Sequence, residues 1–205
     1  MKVLGINGSH RAGKGTAALL QAALDAAAEA GAETELVELS RLNIGFCIGC
    51  NKCLMQTSCT LSDDMEGLYE KMRGADAILL ASPDYFGTVS ARTKNFMDRT
   101  RPFHMVENVL KGKIGAGLTT AGLNNCGAEG TLALIDQWLA THEMLAVHAR
   151  PEGPVLAPGA IATGFAGLDE AGRPVWRSVK GDAIGFAIAR QLGTDVVALG
   201  ERLGM

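Results

Sequence analysis

The chain opens on an apolar run, residues 2–7, which breaks into a polar, glycine-rich stretch; so short a run predicts a buried strand. Residues 16–30 then pile up alanine and leucine until Gly31, the pattern of a strong helix stopped by glycine. The same alternation continues along the chain. Residues 34–39 predict a second strand, a helix follows Ser62, residues 76–81 predict a third strand apolar on both faces, and a helix covers about 91–101. A glycine-interrupted fourth strand at 113–120, a helix from about Ala128 to His142, a fifth strand at 144–149 and a closing helix at about 182–202 complete the series. Strands alternating with helices predict an α/β protein whose parallel sheet is covered on both sides. Two stretches fall outside this rhythm. One is the loop 43–61 inserted after strand two; the other is 151–181, where Pro151, Pro154, Pro158 and Pro174 among many glycines predict an irregular excursion. No repeat or low-complexity segment interrupts the pattern, and a length of 205 residues fits one domain over 1–205.

Composition narrows the function classes. A hydrophobic share of 47%, a charged share of 20% and a net charge of -3 lack the basic excess of a nucleic-acid binder. The N-terminal apolar run is too short for a signal peptide, and no run reaches the roughly 18 apolar residues of a membrane span, so a cytoplasmic protein is expected. In that reducing compartment disulfides are rare, which matters because four of the five cysteines, Cys47, Cys50, Cys53 and Cys59, fall within thirteen residues as C-x2-C-x2-C-x5-C. Thiolates this close make a soft four-sulfur ligand set suited to tetrahedral zinc or an iron–sulfur cluster. Cys126 stands apart and reads as a small, partly buried residue.

Glycines number 26 and gather in short clusters, as functional loops do. Three polar loops sit at the carboxyl ends of predicted strands, where open α/β sheets bind ligands. The first, residues 7–15, joins a strand to a helix start, an arrangement in which backbone N–H groups and the helix dipole hold a phosphate, with hydroxyls from Ser9 and Thr16 and a charge from Arg11 or Lys14. It is neither G-x-G-x-x-G nor G-x-x-x-x-G-K-[ST], and an ordinary strand-to-helix turn would look similar. The second, Ser82 to Ser90, offers Tyr85 and Phe86 either to a flat heteroaromatic ring or to the core, with Pro83 and Gly87 fixing the turn. The third covers 119–127. Asp63, Asp64 and Glu66 after Ser62 read as helix-start electrostatics. His10, His104, His142 and His148 fall in four elements without an H-E-x-x-H pattern, and no G-x-S-x-G elbow is present.

Taken together, Gly8 to Thr16, the Ser-Pro-Asp-Tyr-Phe-Gly run and the Asp98-Arg99 pair after Lys94 and Phe96 resemble the flavodoxin-like NADPH-dependent FMN reductases over residues 1 to about 149. With the compact cysteine motif the chain is similar to one branch of them, the iron–sulfur flavoproteins. The resemblance implies a flavodoxin-like, doubly wound five-stranded parallel sheet of order 2-1-3-4-5. It implies FMN, its phosphate held by Ser9, Arg11, Gly15, Thr16 and Ala17 and its ring by Pro83, Asp84, Tyr85, Phe86 and Gly87 with Thr120, Ala121 and Gly122. It implies a 4Fe-4S cluster on Cys47, Cys50, Cys53 and Cys59, electrons from a ferredoxin-like or NAD(P)H donor passing to a small-molecule acceptor, and a homodimer or homotetramer. The sequence departs from the family at His10, where proline is usual, and at Gly15, where asparagine is usual and would add a phosphate donor. Asp84 places a carboxylate where the family more often has an apolar residue. Two rival readings stand beside it: an NAD(P)H-dependent FMN or quinone reductase without a cluster, and a zinc-stabilised binding module that is no enzyme.

Overall fold

The computed structural model describes residues 1–124, 126–151 and 159–205, so Asn125, Pro154 and Pro158 lie outside the described residues. Strands β1 (Lys2–Asn7), β2 (Glu33–Glu38), β3 (Ala77–Tyr85), β5 (Ile114–Ala121) and β6 (Leu145–Ala146) form a parallel sheet in the order β2-β1-β3-β5-β6. That is the flavodoxin-like order the resemblance implies, with the short β4 (Thr88–Val89) counted separately. The central strands are buried because both sheet faces are covered. On one face Leu19, Leu20, Ala23 and Leu24 of α1 (Gly15–Glu29) and Ile188, Leu192 and Val196 of α6 (Ala183–Arg202) pack on Leu79 and Leu118. On the other, α2 (Met65–Gly74), α3 (Ala91–Arg99), α4 (Pro102–Met105) and α5 (Ala128–Thr141) enclose Ile6, Ile78, Leu80, Phe96, Phe103 and Trp138. Among the described residues α6 is the one helix long and apolar enough to cross a membrane, and its apolar stripe is spent on α1 and the sheet.

Four expectations are corrected. The third strand does not end at residue 81: it runs to Tyr85 and returns as β4, pairing Asp84 with Val89 and Tyr85 with Thr88. Phe86 and Gly87 make the turn at φ 54° and 72°, the mirror-image geometry that matches strand twist. The second correction concerns the fifth sheet position, which two short strands share. β6 pairs with the start of β5, and β7 (Ala160–Thr163) pairs with its end, Leu118 to Ala121. Val147 still donates to the Gly115 carbonyl at 2.9 Å, and beyond it β7 takes the place beside Leu118 to Ala121. Third, the excursion is not irregular throughout, since β7 is followed by a hairpin of β8 (Phe165–Leu168) and β9 (Pro174–Trp176). Finally, α2 starts at Met65 with Asp64 at its N-cap position, and Ser62 does not cap it.

Candidate functional site

The first loop is folded by its own polar groups. Asn7, fully buried at the end of β1, accepts the Ser9 N–H at 3.1 Å and donates to Glu38 at 2.5 Å, while Glu38 also accepts the Gly13 N–H at 2.8 Å. Ser9 Oγ accepts the Arg11 N–H at 3.1 Å, which leaves its own proton to donate. Lys14 occupies the N-cap of α1 but supplies no side-chain cap, so the first N–H groups of that helix keep their donor capacity and positive end. Thr16 Oγ1 lies 2.7 Å from Thr120 Oγ1, a buried bond that ties the helix start to the end of β5.

These elements border a cleft of 460 Å³. Ser9, Arg11, Gly15, Thr16, Pro83, Asp84, Tyr85, Thr120, Ala121 and Gly122 all line it, so the three loops of the sequence analysis meet on one rim. Three predicted residues do not. Ala17 is buried in α1, Gly87 sits in the β3–β4 turn against Gly127, and Phe86 points fully into solvent. Phe86 therefore neither lines the cleft nor plugs the core, because the left-handed backbone that closes the turn turns its side chain outward. Tyr85 is 41% exposed and lies parallel to His10, with ring centroids 5.9 Å apart. Asp84 accepts from Thr131 Oγ1 at 2.7 Å and from the Cys126 thiol at 3.3 Å. Burial and this carboxylate push the Cys126 thiol above its usual range.

Sequence reasoning missed the far side of the cleft, formed by Gly164, Trp176, Arg177, Ser178 and Val179. The signal was a tryptophan beside an arginine in an otherwise small-residue stretch, which composition alone assigns to no element.

The cysteine loop is held differently. Arg99, 1% exposed, donates to both oxygens of Asp63 at 2.6 and 3.0 Å and to the Gly45 carbonyl at 2.7 Å. Asp63 also accepts the Gly45 N–H at 2.9 Å, Asn95 donates to the Ile44 carbonyl at 3.0 Å, and Arg101 reaches Asn51 at 2.9 Å. Burial alone would raise the Asp63 carboxyl, but Arg99 and the Gly45 and Met65 amides more than offset it and hold it below the carboxylate range. Asp63 accepts the Met65 N–H at 3.1 Å at the start of α2, as its helix-start reading expects, and it is also the buried partner of Arg99. Cys47, Cys50, Cys53 and Cys59 are free thiols around one small cavity of 30 Å³ that Arg99 and Arg101 also border. A hydrogen bond from Thr60, then the Lys52 amide, draws the Cys50 thiol down.

Among the described residues no three His, Cys, Asp or Glu side chains are arranged as a metal group. Two features nonetheless fit a sulfur-ligated centre: four thiols border one cavity, and so does Arg99, whose buried Nε has no partner among the described residues.

Residues 1–151 match the NADPH-dependent FMN reductase family. An iron–sulfur flavoprotein of Methanocaldococcus jannaschii is 38% identical over 196 residues, 96% of this chain and 95% of that protein. Another, from Archaeoglobus fulgidus, is 34% identical and spans 98% of this chain and 96% of its own. A solved NAD(P)H:quinone oxidoreductase from Methanothermobacter marburgensis shares the fold, with TM-score 0.68 at 18% identity over 96% of each chain. The chain belongs to the NADPH-dependent FMN reductase family, as a flavin-dependent oxidoreductase of its iron–sulfur flavoprotein branch.

Proposed function

We propose that this family member is an electron-transfer flavoprotein in which FMN occupies the 460 Å³ cleft and a 4Fe-4S cluster is carried by Cys47, Cys50, Cys53 and Cys59. The observation that carries the reading is the convergence of the uncapped start of α1 with Ser9, Arg11 and Lys14 on the cleft that Asp84, Tyr85 and Thr120 to Gly122 also line. Such a bound pair supplies two-electron chemistry at the flavin and one-electron chemistry at the cluster.

The chain's own groups then have defined tasks. The α1 amides, the Ser9 hydroxyl and Arg11 receive a phosphate. Thr16 and Thr120 fix the distance between the phosphate end and the β5 end, and Asp84, held by Thr131, sets the charge beside the ring. The Arg99–Asp63 pair anchors the cysteine loop to the end of α3. No general acid or base is needed for this role. The donor is ferredoxin-like or NAD(P)H, the acceptor a small molecule, the assembly a homodimer or homotetramer formed by one domain per chain, and the compartment the cytoplasm, which suits five free thiols.

Anaerobic purification followed by absorption spectroscopy and metal analysis tests this reading. Flavin bands with a broad iron–sulfur shoulder and about four irons per chain support it. A second reading, an NAD(P)H-dependent FMN or quinone reductase without a cluster, is favoured by the match of residues 1–151 to the NADPH-dependent FMN reductase family. Yellow protein free of iron that is bleached rapidly by NADPH would establish that one, and colourless protein with one zinc would sink both.

A further inference from the structure

We infer that the segment Trp176 to Val179 is the outer wall of the flavin cleft, with Arg177 completing the charge around the phosphate and Trp176 giving the bound flavin an apolar face. The inference rests on the flavin reading above and extends it to residues beyond 151, where the family match ends.

The segment is seated at both ends of the site. A Cβ on Gly15 would stand 2.2 Å from Val179 Cγ2, so the segment packs on the first residue of α1, beside the open N–H groups. On the other side, Gly164 donates to the Ala121 carbonyl at 3.0 Å and Arg177 donates its N–H to the Gly164 carbonyl at 2.8 Å. Trp176 therefore arrives next to Gly122, its ring edge 3.8 Å from where a Cβ on that glycine would lie. Backbone hydrogen bonds fix this register, and the contact with α1 leaves no room for a side chain at position 15.

Charge points the same way. Among the described residues the cleft is lined by three cationic side chains, Arg11, Lys14 and Arg177, against the single carboxylate of Asp84. A phosphate monoester carries about -1.5 to -2 near neutral pH; the first two cations and the helix dipole, less Asp84, come to about +1.5, which meets the lower figure and leaves the upper one to Arg177. Among the described residues Arg177 has one ionic partner, Asp182, at 3.5 Å. Asp182 is already engaged by the N–H groups of Thr163 at 2.9 Å and Gly185 at 3.1 Å, so most guanidinium donors of Arg177 remain open to an anion. Trp176 is 56% exposed, an uncommon position for so large an apolar surface and one that a flat ring system would cover.

The test compares two ligands on flavin-stripped, full-length protein, titrated with FMN and with riboflavin, which has the same ring and no phosphate, by quenching of flavin fluorescence. Arg177→Gln weakens FMN by about tenfold and leaves riboflavin unchanged, whereas Arg177→Lys keeps most of the FMN preference. Trp176→Ala weakens both flavins by a similar factor of about ten. Unchanged FMN affinity in Arg177→Gln, or an equal loss for both flavins, overturns the inference while leaving the flavin reading intact. Wild-type protein that binds neither flavin overturns the flavin reading and this wall with it.

Discussion

The flavin cleft and the cysteine loop lie on the same chain and are built on opposite plans. The cleft borrows its precision from strand ends: β1, β3 and β5 stop on one rim, and their last residues are locked by short-range bonds such as Asn7 to Ser9 and Ser82 to Ser90. The cysteine loop has no regular structure between residues 43 and 51, exposes Phe46, Ile48 and Met55, and depends on the Arg99–Asp63 ion pair with a few backbone bonds. A site made of strand ends inherits the rigidity of the sheet, whereas a site made of loop inherits that of its anchors.

The strongest way to separate the two regions is to remove the anchor. Arg99→Met leaves Asp63 as an uncompensated buried charge and costs about 3–5 kcal/mol in denaturant unfolding. The folded fraction keeps its FMN affinity, and replacing both partners by apolar residues recovers much of the loss. If FMN affinity falls in step with stability, the two regions are one unit and the contrast fails.

Acid should weaken the same side of the molecule. His142 is 2% exposed, and burial first, then His104, lowers its pKa from the usual 6.5 to about 4. Its Nε2 lies 3.0 Å from Thr100 Oγ1, which already donates to Met97, so the neutral ring donates from Nε2 and its Nδ1 has no partner among the described residues. Because the folded pKa is depressed, the unfolded chain binds this proton first as pH falls below 6.5. This residue's share of stability is therefore full above about 6.5 and is lost down to about pH 4, amounting to about 3 kcal/mol. Unfolding free energies measured across that window should slope for wild type and flatten in His142→Gln.

Two smaller effects probe the cleft alone. Gly15→Ala drives a methyl into Val179 and costs about 1–3 kcal/mol together with FMN affinity, and Val179→Ala in the same chain restores most of both. Asp84→Asn removes a negative charge from the cleft, where reduction of the proposed flavin adds negative charge, and raises the flavin midpoint potential by the equivalent of about 1 kcal/mol at the near-aqueous screening of an open cleft. An unchanged or lower potential would place the Asp84 carboxylate outside the reach of the ring.

Much of this was legible in the chain. The long apolar strands, the alanine-rich α1 and the first polar loop are local patterns, and each kept its type with boundary shifts of a few residues. The β3–β4 hairpin was hidden because its turn is Phe86-Gly87 and not the Asn-Gly pair that advertises such a turn. The shared edge of β6 and β7 was hidden because two- and four-residue strands carry too little periodicity to be read. The second role of Asp63 was hidden because its partner Arg99 is 36 residues away, at the end of a different helix.

The sequence by itself determined the alternation of strands and helices, the loops that could meet a flavin, and the four thiols, since periodicity, loop chemistry and cysteine spacing are properties of neighbours along the chain. Only the tertiary structure decided that Trp176 to Val179 returns to close the cleft, that Phe86 faces away from it, and that a buried arginine holds the cysteine loop. Those outcomes depend on contacts between distant segments, which burial and charge pairing select only after the sheet has formed.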